Sequence, residues 1–443
     1  MLRRSFRKDF PSAVRGEGVY VWDSEGKKYI DLAGSAAVNL IGHGVPEISA
    51  AMAEQAAKLE FVHTSQFTTP VAEEYAQELL DFAGEHFRDG AVYFTSGGSE
   101  SVETALKLAR QYQVEVGQPG RYQVLSRQQS YHGSTLGALS VSGNKRRREI
   151  YLPMIREFAH IGMPYCYRCV FDCTDGCRHC GQQYAAELEH AIEGAAGEAA
   201  AFIFEPVSGA TLGAVVPPPG YLQSIAEICC RKAVLLIADE VMTGMGRTGR
   251  NFAVDHWDVK PDILIAAKGL SSGYAPLGAV LVSRRVVDAI AGGSGAFLHG
   301  FTYNAHPISL AAGRAVLRHL NAHRLVEGAD SGRAGSAAAQ FKAALQSLYD
   351  EESVGDVRGL GMLWAVEFVA DKDSKRPFAP AMGFSARVGA AASKRGLLVY
   401  PMQGSVDGTA GDHLLLAPPA IITADQISWS VSQLAEAIRE VRP

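Results

Sequence analysis

Residues 234–277 read VLLIADEVMTGMGRTGRNFAVDHWDVKPDILIAAKGLSSGYAPL, and two short apolar runs in this stretch each end on one charged side chain. The run 234–238 leads into Asp239, and the run 262–267 leads into Lys268. Short apolar runs bounded by turn residues predict buried parallel strands. A charge at the end of such a strand lies at the rim where α/β proteins place their ligands. Burying an amine and a carboxylate needs a specific reason. Two readings of the pair are open. It is a structural ion pair, or the lysine forms a Schiff base with a pyridoxal phosphate aldehyde while the carboxylate holds the pyridine nitrogen protonated, so that the ring accepts electrons.

The elements that must position these residues alternate along the middle of the chain. Strand-like segments fall at 92–95, 123–126, 201–205, 234–239, 263–267 and 279–282, with helical patterns between them. That alternation predicts a parallel sheet with crossover helices. Residues 98–115 predict a helix with Val102, Ala105, Leu106 and Ala109 on one face and Ser99 as its N-cap. Gly97, Gly98 and Ser99 before this helix offer backbone N–H groups and the positive end of the helix dipole to an anion such as a phosphate. From about residue 305 long helices give way to short strands at 363–368, 397–400 and 413–416. Gly244-x-Gly246-x-x-Gly249 matches a dinucleotide fingerprint in form only, because residues 239–241 separate it from its strand.

The motifs around this core resemble those of class III aminotransferases, the omega-amino acid and amine transaminases. The resemblance rests on DEVMTGMGRTG with PDILIAAKGLSSGYAPLGAV and extends to YFTSGGSESVETALKLAR, SYHGSTLGALSVSG, FIFEPVSGATLG, FTYNAHPISLAAGRAVL, VRGLGMLWAVEF and LLLAPPAIIT, in order along nearly the whole chain. It implies an α/β protein of PLP fold type I, aspartate-aminotransferase-like. A large, mostly parallel-sheet domain would span 56–303, and a smaller α+β domain would combine 1–55 with 304–443. It implies pyridoxal 5'-phosphate as cofactor, Lys268 as the catalytic lysine and Asp239 as the pyridinium partner. Val241 would press on one ring face and Tyr131, with His132, would cover the other. Glu205 would lie near the cofactor, and Gly98 and Ser99 would hold the phosphate. Thr302 would reach the phosphate of a neighbouring subunit, which implies a homodimer. No metal is implied in the active site.

Two departures bear on substrate. Leu415 stands where relatives that handle α-amino acids carry an arginine before APP, and Ala210 stands where ornithine-type relatives carry the glutamate that screens it. No Arg or Lys occurs between Gly396 and Ile438. Losing both members of an ion pair together is coherent, since either alone would be a costly buried charge. Ala36 and Ala37 stand where several amine transaminases carry a bulky aromatic. The expectation is therefore transfer of an amino group from a primary amine or omega-amino substrate to a 2-oxo acid such as pyruvate. Decarboxylation, amino-group migration or racemisation on the same scaffold is the alternative, as is an amino acid transaminase of ornithine or 4-aminobutyrate type.

The 443 residues and formal net charge of −5 give no basic footprint for nucleic acid. No apolar run approaches the roughly 20 residues of a membrane helix. The basic start MLRRSFRKDF is not followed by an apolar stretch before Pro11, so no secretory signal is read and a cytoplasmic protein is expected. Five of seven cysteines crowd into CYRCVFDCTDGCRHC, an insertion at about 164–182. Cys166-x-x-Cys169 and Cys177-x-x-Cys180 have the spacing of a metal knuckle, with Cys173 and His179 as further ligands. A structural zinc, surface thiols and a disulfide all fit this spacing.

Overall fold

The computed structural model describes residues 2, 5, 6, 9–171, 177 and 179–442. The apolar runs of the middle third form a seven-stranded sheet in the order Ala91–Thr95, Gly278–Val282, Ile263–Ala266, Leu235–Asp239, Ala199–Phe204, Gln123–Arg127, His160–Ile161. Every residue of Ala199–Phe204, Leu235–Asp239 and Ile263–Ala266 is buried. These strands run parallel, and like most parallel strands they are covered on both faces. Gly278–Val282 is the exception, antiparallel to both of its neighbours.

Helix Gly98–Glu115 buries Val102, Ala105, Leu108 and Ala109 against one face of this sheet. Leu106 of the expected stripe is only partly buried. The cap differs from expectation. Gly97 is the N-cap, in extended backbone and with no side-chain cap. Ser99 lies inside the first turn, and its Oγ accepts from the Ser134 N–H at 3.1 Å. That bond ties the helix start to the segment carrying Tyr131.

The C-terminal third forms a second, antiparallel sheet in the order Val354–Leu360, Leu363–Phe368, Asp412–Leu416, Tyr400–Gln403. The single strand expected at 397–400 is split. Leu397–Leu398 leaves this sheet and pairs in parallel with Lys28–Asp31 of the N-terminal strands. Val19, Ile30 and Leu32 share a core with Phe341, Trp364, Phe384 and Leu434, so the N-terminal segment packs with the C-terminal third. No helix among the described residues is long and apolar enough to cross a membrane.

Candidate active site

The parallel pairing of Leu235–Asp239 with Ile263–Ala266 sets Asp239 opposite Ile265, so both chains leave the sheet at the same edge. Lys268 follows two residues after its strand, at a positive φ of 41°. A non-glycine residue in this region stores on the order of 1–3 kcal/mol of strain, which the surrounding packing must hold. The strained turn aims the amine into a cavity of about 320 Å³, whose lining includes Gly98, Ser99, Tyr131, His132, Glu205, Asp239, Val241 and Lys268. Eight of the nine residues read from sequence are thus brought together. Thr302 is not among them. It is exposed and lines a separate cavity beside His63 and Tyr93.

The electrostatics of this cavity follow from burial. The Lys268 amine is pushed down to about 8 by desolvation, and Asp239 and Glu205 oppose the shift. An amine so placed exchanges protons near neutral pH, as a lysine acting as general base must. Asp239 is buried, with its Oδ2 2.7 Å from His132 Nδ1 and its Oδ1 accepting from the Val241 N–H at 3.1 Å. Each bond fixes one oxygen. Burial pushes the Glu205 carboxyl up, and its oxygens accept from the backbone N–H groups of Tyr131, at 3.3 Å, and Gly209, at 2.8 Å.

The cavity fits pyridoxal phosphate on its own features. A Cβ at Gly98 would come within 3.2 Å of both Val241 methyls, so the backbone of the helix start lies bare beside the side chain expected under the ring. A Cβ at Gly133 would meet Ser99 Oγ at 2.7 Å, so glycine keeps that oxygen accessible. The first-turn N–H groups at Gly98 and Ser99 have no intrahelical acceptor and can take an anion. The buried His132 Nε2 has no hydrogen-bond partner. Cation, carboxylate, aromatic and anion cradle are the donor set that a phosphorylated pyridine aldehyde needs.

Sequence reading passed over several residues that build this site. Arg247 is fully buried, and its guanidinium donates to the carbonyls of Ala417 (3.1 Å), Pro418 (2.6 Å) and Asn39 (2.8 Å). It clamps the glycine loop to the APP segment, and the only signal was its place within GRTG. Glu240, next to Asp239, is buried and raised to about 7 by desolvation. It accepts from Thr243 Oγ1 and from the Val254 N–H. Arg147 lies 4.6 Å over the Tyr131 ring. In the sequence it is one of a run of basic residues that reads as a solvated face.

The model of the family described as aminotransferase class-III matches residues 5–438. An uncharacterized aminotransferase of Bacillus subtilis, YodT, is 38% identical and covers 100% of this chain and 98% of its own length. An (S)-enantioselective omega-transaminase from Thermomicrobium roseum superimposes with a TM-score of 0.89 at 38% identity, covering 99% of this chain and 94% of its own. An amine transaminase from an uncultivated Pseudomonas species, solved with PLP bound, gives 0.91 at 36% identity over 100% and 98% of the two chains. The chain belongs to the class III aminotransferases, enzymes of PLP fold type I that use pyridoxal phosphate.

Proposed function

We propose that this aminotransferase takes an amino group from a primary amine or omega-amino substrate and passes it to a 2-oxo acid such as pyruvate. One observation carries the donor class. Ala37, Ala210 and Leu415 pack in a single apolar cluster with Val207 and Leu363, with Met242 of the cavity lining against it. The positions where a carboxylate-binding ion pair would stand are therefore apolar and belong to one packed cluster. A donor with an α-carboxylate would find no bidentate partner there, whereas an alkyl or aryl amine would bury its apolar part.

The cofactor, when bound, supplies an aldehyde carbon and an electron-accepting ring. In this reading Gly98 and Ser99 would hold its phosphate, Asp239, fixed by His132, would keep its ring nitrogen protonated, and Val241 and Tyr131 would cover its ring faces. Lys268 Nζ would take the proton from the donor carbon and deliver it to the carbon that carried the cofactor's aldehyde oxygen; desolvation lowers the affinity of the amine for a proton, so its neutral, proton-accepting form is available. Glu205 orients the Tyr131 backbone. Thr302 serves the site of a second chain, which makes the enzyme a homodimer. Exposed Phe67, Leu298 and Tyr303 support this, lying near Thr302 in sequence or beside its cavity at 63%, 82% and 60% exposure.

The acceptor's carboxylate needs a cation. Arg127 and Arg247 are buried and bonded to backbone carbonyls. Arg358 is paired with Asp356 and Glu367. Arg147 has no ion pair among the described residues, rests on Tyr131 and lies close enough to depress the Lys268 amine. It is the cation we assign to the acceptor. Separate half-reactions test the whole reading. A simple primary amine without acceptor should convert the cofactor and pyruvate should restore it; preference for ornithine or 4-aminobutyrate over simple amines would overturn the donor class.

A further inference from the structure

The cysteine-rich insertion gathers its sulfurs away from the catalytic cavity. Cys166 opens the short 3-10 helix Cys166–Arg168, and the Cys169 N–H donates back to the Cys166 carbonyl at 3.2 Å, so one tight turn carries both thiols. Cys180 opens helix Cys180–Gly194, and Cys177 precedes it. The Sγ atoms of Cys169, Cys177 and Cys180 all lie within 4.8 Å of one another, and those of Cys169 and Cys180 are 3.5 Å apart. The Cys177 Sγ lies 3.9 Å from the Cys166 carbonyl oxygen, so the turn that carries Cys166 packs against the same group. Four sulfurs around a tetrahedral zinc, each about 2.3 Å from the metal, stand about 3.8 Å from one another. Tyr184 Oη donates to Cys169 Sγ at 3.4 Å, the kind of outer bond that orients a thiolate ligand. Cys173 lies outside the described residues.

We propose that Cys166, Cys169, Cys177 and Cys180 form a tetrathiolate site for a structural zinc ion in the reduced protein. Two Cys-x-x-Cys pairs, Cys177 and Cys180 buried and Cys166 and Cys169 partly buried, suit a borderline-soft cation in a closed tetrahedral site. The site has an evident task. The same turn carries Tyr165, whose hydroxyl donates to the buried Glu367, and Arg168, which donates to Glu367 at 2.7 Å and to the Lys375 carbonyl at 2.8 Å. Glu367 belongs to strand Leu363–Phe368 of the C-terminal sheet and also pairs with Arg358. A metal knuckle would hold this turn in the one shape that satisfies a buried carboxylate on the neighbouring sheet. Cys180 stands in a disulfide in the structure. Zinc and that disulfide exclude each other, and the experiment separates them.

The test uses the full-length protein, purified without chelator or a histidine tag. Elemental analysis should give close to one zinc per chain, with four sulfur ligands in the X-ray absorption spectrum. All seven cysteines should react with a thiol reagent once the protein is denatured with chelator. Cys169→Ser and Cys177→Ser should reduce zinc to below about a tenth of an equivalent, while Cys229→Ser should leave it unchanged. Wild-type protein with less than a tenth of an equivalent of zinc and two cysteines unreactive would overturn the proposal in favour of a disulfide. Bound iron in place of zinc would overturn it as well.

Discussion

Replacing Lys268 by methionine should make the cofactor-free protein more stable, by an amount that depends on pH in one direction. The Lys268 amine lies at about 8, against an ordinary value of 10.5, because burial disfavours its charged form. The unfolded chain therefore binds a proton that the folded chain resists. Where the unfolded state binds more protons, stability rises with pH. The penalty is fully present below pH 8, shrinks between 8 and 10.5, and is almost gone above 10.5. Lowering the amine from 10.5 to about 8 corresponds to about 3 kcal/mol at pH 7. Methionine keeps the length of the side chain and removes the charge. Urea denaturation of cofactor-free wild type and Lys268→Met, at pH 7 and at pH 10, measures the difference. The expected gain is about 3 kcal/mol at pH 7, falling below about 1 kcal/mol at pH 10. Equal stabilities at pH 7, or a gain that does not change with pH, would refute a desolvated Lys268.

Asp239→Asn should keep cofactor binding but lower kcat/KM for the amine by about 100-fold or more, because a neutral amide cannot hold the ring nitrogen protonated; titration of cofactor and steady-state rates check both. Leu415→Arg alone should destabilise the protein by about 3 kcal/mol through an unpaired buried cation, and adding Ala210→Glu should recover part of that loss; melting of the two single variants and the double variant decides it. Arg147→Gln should raise the KM for pyruvate about tenfold or more, leaving the amine half-reaction within about twofold; equal loss in both half-reactions would remove Arg147 from acceptor binding. His413 is buried and lowered to about 4 from 6.5, so its contribution is complete above pH 6.5 and about 3 kcal/mol of it is lost as pH falls to 4. Glu240, raised by burial, works in the opposite sense over an overlapping range. His413→Gln measured against wild type by acid titration isolates the contribution of the histidine.

The parts of the site that sequence made legible are those with local signals. Asp239 and Lys268 each end an apolar run, and a buried strand has few other ways to be written. The antiparallel strand Gly278–Val282 carries no such signal. Its apolar run reads like its parallel neighbours, and direction depends on where the chain re-enters the sheet. Ser99 looked like a cap because caps are judged by residue type, yet its hydroxyl is taken by Ser134, 35 residues away. Arg247 and Glu367 escaped for the same reason. Their partners, the carbonyls of Ala417 and Pro418 and the side chains of Arg168 and Arg358, lie far along the chain and meet only when the sheets pack. The coincidence of Ala37, Ala210 and Leu415 in one cluster needed three dimensions, although each substitution was visible singly.

The most direct test of the central claim is the visible absorbance of cofactor-loaded wild type beside Lys268→Met, before and after a simple primary amine and then pyruvate. Wild type should show a visible cofactor band that bleaches with amine and returns with pyruvate, while Lys268→Met should not complete the cycle. A wild-type band that amine leaves unchanged, or a Lys268→Met variant that cycles like wild type, would contradict an amine transaminase built on Lys268.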